Sequence, residues 1–331
     1  LELDVSNTVE DWISGANVNK LPGNYGFGVF LTSSFEGSSS FAGNADDGPV
    51  LHNPDGSTES FYTKRFFSRT SEFFFKKPCI EARWDSTVKD DRANFYASSS
   101  LASAADNINN LYLYNYIRGR LVDIPHTETV TVNLYASEDD EPAGNVLTSS
   151  VASKSSTGVY RVEVFLDTTA SILHDVWSGS IGGEYKTGSI KVHSFHSASL
   201  LSDDYTNFIT KITNLKSKYT KNEKARFRVF TRPRNYSPTI YTVASTDIEG
   251  VTVPSASFEI IRMVDEFTVI NNSTGSTTNH TYLSYDKSGS YFDLDMSLLE
   301  PGYMYGIKLA FHSSNDWREQ EEVFKFRVED N

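Results

Sequence analysis

Along its C-terminal third the chain places an apolar residue at every second position. Phe292, Leu294 and Met296 share one parity; Tyr303, Tyr305, Ile307, Leu309 and Phe311 share another run; Phe324, Phe326 and Val328 share a third. Successive side chains of a strand point to opposite faces, so a period of two hides one face and wets the other. A sheet with one such face must cover it with a second sheet. Between these runs stand the tight turn Glu300–Gly302 and the polar loop HSSNDWREQEE. Upstream, FITKITNL, ARFRVFTR, TIYTVAS, SFEIIRMVD and TYLSYD continue the habit. The spacing predicts an antiparallel sandwich of immunoglobulin size, immunoglobulin-like in kind.

The first half repeats the theme less cleanly. In LYLYNYIRG, Leu111 and Leu113 alternate with Tyr112, Tyr114 and Tyr116, so both faces are bulky. Such a strand is covered on both sides or turns its tyrosines to an interface. Val130, Val132 and Leu134 share a face, as do Tyr160, Val162, Val164 and Leu166. TASILHDVWSGS, from Thr169, reads as a helical turn, and GSIKVHSF returns to strand. SASLLSDD then reads as a linker. The fold class expected is all-β: two tandem antiparallel β-sandwich domains, residues 1–202 jelly-roll-like and residues 203–331 immunoglobulin-like. Residues 33–60 are too polar and turn-rich to hold a core and are expected as a long surface loop. LPGNYGFGVF lacks the flanking strand and helix of a dinucleotide-binding loop and is expected as a glycine-bent strand with Phe27, Val29 and Leu31 on one face.

The densest aromatic stretch, Tyr62–Trp84, is expected to form the core hairpin of the first domain, with FYTKRFF and FFFKKPCIEARW as its strands and SRTSE as the turn. The sole cysteine, Cys79, admits no intramolecular disulfide and is expected as a small buried hydrophobe. A formal charge of −13 opposes non-specific binding to nucleic acid or anionic membrane. No apolar run approaches the roughly 20 residues of a membrane-spanning helix. The chain opens on Leu1 rather than Met and shows no signal-peptide pattern.

No residue pattern carries a catalytic signature. His193 and His196 are three apart, which on a strand sends them to opposite faces. His174 and Asp175 adjoin Ser171 and Ser178, but a triad is defined by geometry and serine is abundant here. Asp85, Asp90 and Asp91 offer oxygen ligands of the sort calcium takes, yet without EF-hand spacing; an acidic turn between strands is the expectation, and no cofactor. In ARFRVFTRPRNYSP, Arg226 and Arg228 alternate with Phe227 and Val229 as the wet face of a strand, where they meet acids. Tyr112, Tyr114, Tyr116, Arg232, Arg234 and Tyr236 stand out as an assembly or ligand face. Trp84, Trp177 and Trp317 are the residues that would stack on sugars were the chain a carbohydrate-binding adhesin.

FFSRTSEFFFKKPCIEARWD, NFYASSSLASAADNINNLYLYNYIRG, FTRPRNYSPTIYTVAS and LDMSLLEPGYMYGIKLAFHSSNDWREQEEVFKFRVED resemble segments of structural proteins from tailed phages of marine bacteria, cyanophage-like viruses in particular. The N-terminal half is also similar, through Asn24–Gly26, to β-sandwich modules of the DNRLRE type. The resemblance implies a virion component in the neck, tail, baseplate or capsid surface. It implies self-association and contact with other virion proteins, and it transfers no site residues. A non-enzymatic structural protein is the expectation, with a glycan-binding adhesin as the alternative.

Overall fold

The computed structural model describes residues 3–14, 26–28, 33–35, 56, 66–125, 129–138, 145–179, 183–193, 208–234, 240, 250–275, 279–313 and 316–330. The chain divides into two compact units, Leu1–Thr70 and Ser71–Asn331. In the first, helix α1 runs from Ser6 to Ser14 and was not legible as a period in the sequence. Asp4 starts it, its carboxylate accepting from the Ser6 backbone N–H and hydroxyl, which lower its pKa. Trp12 packs on Phe27 at 4.9 Å between ring centres. The rest of the glycine-bent strand, and the loop expected over 33–60 apart from residues 33–35 and 56, fall outside the described residues.

The second unit is all-β and holds two sandwiches in tandem. The first is built from β1 (Phe95–Tyr96), β2 (Asn109–Tyr114), a small hairpin of β3 (Tyr116–Ile117) and β4 (Arg120–Leu121), β5 (Val130–Tyr135), β6 (Thr148–Ser156), β7 (Val159–Val164), β8 (Ile172–Gly179) and β9 (Glu184–His193). Its strands follow one path, β1-β9-β8-β5-β6-β7-β2. β6 belongs to both layers, pairing with β5 through residues 148–152 and with β7 through residues 153–156. The path can therefore fold over itself. The inward residues of β2, β5 and β7 named from the alternation, Leu111, Leu113, Val130, Val132, Leu134, Tyr160, Val162 and Val164, are all buried in one core with Phe95, Leu173, Trp177 and Ile190.

The second sandwich comprises β10 (Phe208–Ile212), β11 (Lys218–Thr220), β12 (Lys224–Pro233), β13 (Ala256–Arg262), β14 (Phe267–Ile270), β15 (Ser284–Asp286), β16 (Gly289–Asp295), β17 (Met304–Ser313), β18 (Asp316–Glu319) and β19 (Phe324–Glu329). One sheet has the order β10-β12-β16-β15 and the other β11-β19-β17-β13-β14, with β18 paired to β17. This is the immunoglobulin arrangement, in which the first, second, fifth and fourth strands face the third, sixth and seventh. A second mark of that fold is present. Tyr305, near the start of β17, donates its hydroxyl back to the Glu300 carbonyl at 2.7 Å, a tyrosine corner. Gly302 makes the adjoining turn possible, since its φ of +90° lies in the left-handed region. No disulfide joins the sheets. In its place Phe292 stacks between Phe258 (4.1 Å) and Phe227 (5.1 Å) across the core. Leu294, Met296, Ile307, Leu309, Phe311, Phe326 and Val328 are buried as their parity requires, while Tyr303 is 36% exposed.

Three expectations fail. Residues 66–84 form no strand: Phe74–Lys76 is a single 3-10 turn, and Phe66, Phe67, Phe73, Ile80 and Trp84 are exposed. Phe75 packs against the second core, not the first, meeting Phe267 at 5.6 Å. Three consecutive phenylalanines have no period and hence define no face, which is why their β-propensity misleads. Cys79 in the same stretch is exposed, not buried. Within TASILHDVWSGS, Ile172–Gly179 is strand β8, not a helical turn. Its core parity runs Leu173, Asp175, Trp177, so a buried acid stands where a hydrophobe would have revealed the period. The linker expected near residue 202, the strand TIYTVAS apart from Ile240, and Tyr62–Arg65 lie outside the described residues.

Leu309 is fully buried and Tyr305 makes one buried-side hydrogen bond. Leu309→Ala is expected to cost about 2–5 kcal/mol and Tyr305→Phe about 0.5–1.5 kcal/mol, both read from urea unfolding of the full chain.

Candidate functional site: a buried polar clasp between the sandwiches

The feature that organises the second unit is a short ribbon, residues 85–96, bonded to both sandwiches. At its start it adds to the edge of the second: Val88 N–H donates to Ser284 Oγ, Tyr285 N–H to the Val88 carbonyl, and Asp90 N–H to the Tyr285 carbonyl. A 3-10 turn, Asp91–Ala93, follows, capped by the Asp90 carboxylate, which accepts from Arg92 N–H at 3.3 Å. At its end β1 joins the first sandwich, pairing in parallel with β9, and Tyr96 exchanges two hydrogen bonds with the Asn109 side chain.

The turn carries charge into a dry place. Asp90, Asp91, Arg92 and Asp175 are 3%, 8%, 9% and 1% exposed. Arg92 Nη2 lies 2.7 Å from Asp175 Oδ2 and donates also to the Tyr112 carbonyl; its Nε stands 3.8 Å from Asp90. The same Asp175 oxygen accepts from the Trp177 indole N–H and the Thr187 hydroxyl, while Oδ1 has no partner among the described residues. Asp91 accepts from the Tyr285 hydroxyl at 2.8 Å and from the backbone and side-chain amides of Asn110. Burial pushes Asp90 up to about 7 against the pull of Arg92, and it raises Asp91 against the Asn110 and Tyr285 hydrogen bonds. Burial likewise raises Tyr112, Tyr114, Tyr285 and Tyr291.

The tyrosine face singled out on β2 is accounted for here. Tyr112 is buried and stacks on half-buried Tyr114 at 6.1 Å, and the Tyr114 hydroxyl feels Tyr291, Asp90 and Asp286. These two serve an interface within the chain and present no free assembly face. Tyr116, at the start of β3, is 58% exposed. Arg232 pairs with Ile209 in the sheet, and Arg234 bonds Glu321 at 3.1 Å beside a groove of about 250 Å³ lined also by Phe208, Arg318 and Glu319. Among the described residues no hydrogen bond or ion pair joins these arginines to the three tyrosines. Tyr236 lies outside the described residues.

Arg226 and Arg228 do meet acids: Arg226 forks onto Asp293 at 2.8 and 2.9 Å, and Arg228 binds Asp286 at 2.6 Å, both lying over Tyr291. Asp90 and Asp91 are not a solvated acidic turn. Asp85 is separate from them and exposed, folded onto Thr87. Among the described residues no three His, Cys, Asp or Glu side chains group as a metal site. Asp175 bonds Arg92 and Ser178 bonds Thr131, and among the described residues no hydrogen bond joins either to His174. Of the tryptophans named for sugar stacking, Trp177 is fully buried and unavailable, Trp84 is 68% exposed, and Trp317 lies half-buried against Tyr282 and His312 at 5.5 and 5.3 Å.

No protein-family model matches the sequence, and no curated relative does. Among solved structures the chain is similar to the Escherichia coli adhesin FdeC, at 10% identity over 71% of this chain and 62% of that one, TM-score 0.22. It is similar to the Yersinia pseudotuberculosis adhesin InvE at 12% identity, 71% and 57% coverage and TM-score 0.22. For Escherichia coli alpha-2-macroglobulin activated by porcine elastase the values are 11%, 72% and 20%, and 0.23. The chain spans a fifth or less of the alpha-2-macroglobulin chains it matches.

Removing Arg92 leaves Asp175 buried without a cation, so Arg92→Met is expected to cost about 3–5 kcal/mol in urea unfolding. Asp293→Asn, which weakens an exposed pair, is expected to cost under about 1 kcal/mol.

Proposed function

We propose that this chain is a non-enzymatic structural component of a tailed-phage virion, acting as a stiff two-module element that associates with its own copies or with other virion proteins. The observation that carries the reading is the clasp. Two sandwiches on a bare linker would move freely, whereas these are joined by a bonded ribbon and a buried ion pair, as a part that transmits position must be. The viral assignment rests on the phrase-level resemblance of both halves. The net charge of −13 and the mixed ion pairs of the second sandwich suit a solvated surface and oppose contact with nucleic acid or membrane. Mass spectrometry and cryo-EM of purified particles test this: the chain is expected in intact virions at a symmetric copy number. Its absence from them removes the reading.

A second reading, a carbohydrate-binding adhesin module, is favoured by one observation. Trp317, Tyr282 and His312 form a group of partly accessible rings on the second sandwich, and such rings present the apolar face on which sugars stack. On a glycan array this predicts binding that falls at least about tenfold in Trp317→Ala, the equivalent of 1.4 kcal/mol. An array with no signal for the folded chain removes it.

A further inference from the structure

The clasp holds more negative than positive charge. Three carboxylates, Asp90, Asp91 and Asp175, are buried beside a single guanidinium, Arg92, which pairs with Asp175 and stands 3.8 Å from Asp90. The other cations nearby are engaged elsewhere: Arg228 on β12 by Asp286 of β15, and Arg161 on β7 by Glu163 and the Asn110 side chain. Lys89 acts on Asp91 from the half-exposed start of the ribbon. β2 contributes the hydroxyls of Tyr112 and Tyr114, β15 and β16 those of Tyr285 and Tyr291, β8 the Trp177 indole, and β9 Thr187. None of these is a cation. With all three acids ionised the site would carry an unbalanced charge in a place of low dielectric, which is costly.

The hydrogen bonds say which acid gives way. Asp175 has the close guanidinium and two further donors, and Asp91 has three donors. Asp90 has one backbone N–H at 3.3 Å, a guanidinium 3.8 Å off and two acids, Asp91 and Asp286, acting on it. It is the poorest place for a negative charge. We propose that the clasp holds a proton on Asp90 and releases it as the medium turns from mildly acid to alkaline, so that the docking of the two sandwiches is proton-linked. The position of Asp90, raised to about 7, falls in that range.

A carboxyl raised in the folded state is bound to its proton there while the unfolded chain has lost it. Its contribution is full below the unfolded value near 4 and is lost as pH rises through about 7. The clasp should therefore tighten in mild acid, opposite to the behaviour of the salt-bridged surface acids such as Asp265 and Glu329, whose values are lowered and which ionise below this window. His193 and His280, both lowered by burial, oppose the trend but are common to wild type and variant.

Hydrogen exchange at the Asp90 and Tyr285 amides, which bond across the junction, reads the latch directly. For the full chain, the opening constant is expected to rise by up to about tenfold per pH unit between pH 5.5 and 7 and to level off above. Asp90→Asn, which keeps an acceptor and removes the charge, is expected to lack that rise and to be at least as protected at pH 7.5 as wild type at pH 5.5. Equal pH slopes in the two proteins overturn the proposal. A carboxyl carbon NMR titration of the wild type gives an answer independent of the variant's folding: a midpoint near 7 supports the proton, and a midpoint near 4 removes it.

Discussion

The ion pair between Arg92 and Asp175 is the interaction on which the arrangement of the second unit turns. Each partner is almost wholly removed from water, and each would be costly alone. Arg92 arrives on the ribbon, which is bonded to the edge of the second sandwich; Asp175 stands in a central strand of the first. Forming the pair thus fixes the ribbon in the first sandwich at the same moment as it fixes the edge of the second. A buried ion pair adds little to stability over a hydrophobic substitute. It is unforgiving of misplacement, however, because a displaced partner leaves a charge unpaired in the core. Register between the modules follows from that penalty.

Around this centre the two sandwiches solve the same packing problem differently. The first uses a single sheet path in which β6 serves both layers, so its core closes on Trp177, and that ring in turn donates to Asp175. Core and clasp are coupled through one indole. The second closes two separate sheets over a column of aromatic rings and anchors the β16–β17 connection with the Tyr305 corner. Asp90, Asp91, Arg92 and Asp175 lie outside its core cluster, and its outer arginines are neutralised locally by Asp286 and Asp293. Disturbance at the junction should accordingly be felt by the first sandwich before the second.

The strands with one dry and one wet face were legible, because alternation is a local property and each residue of β16, β17 and β19 reports its own side. The second sandwich was readable down to individual core positions for that reason. β8 was not, since Asp175 occupies a core position and erases the period. The stretch from Phe66 to the end of the ribbon was hardest. Its aromatic and acidic composition is real, but whether Phe75 or Asp90 is buried depends on a surface more than a hundred residues distant that has no sign in the neighbouring sequence.

Composition and period were enough to specify an all-β chain of paired sheets without a disulfide, with an immunoglobulin-like second sandwich, because hydrophobic burial acts through a repeat that can be read along the chain. They left the tyrosines of β2 either covered on both sides or turned to an assembly or ligand interface. That the interface is the chain's own, that an arginine and three acids meet inside it, and that Cys79 and Trp84 are left in solvent were settled by long-range packing. Desolvation and ion pairing depend on what surrounds a group in three dimensions, and no local pattern of residues encodes that surrounding.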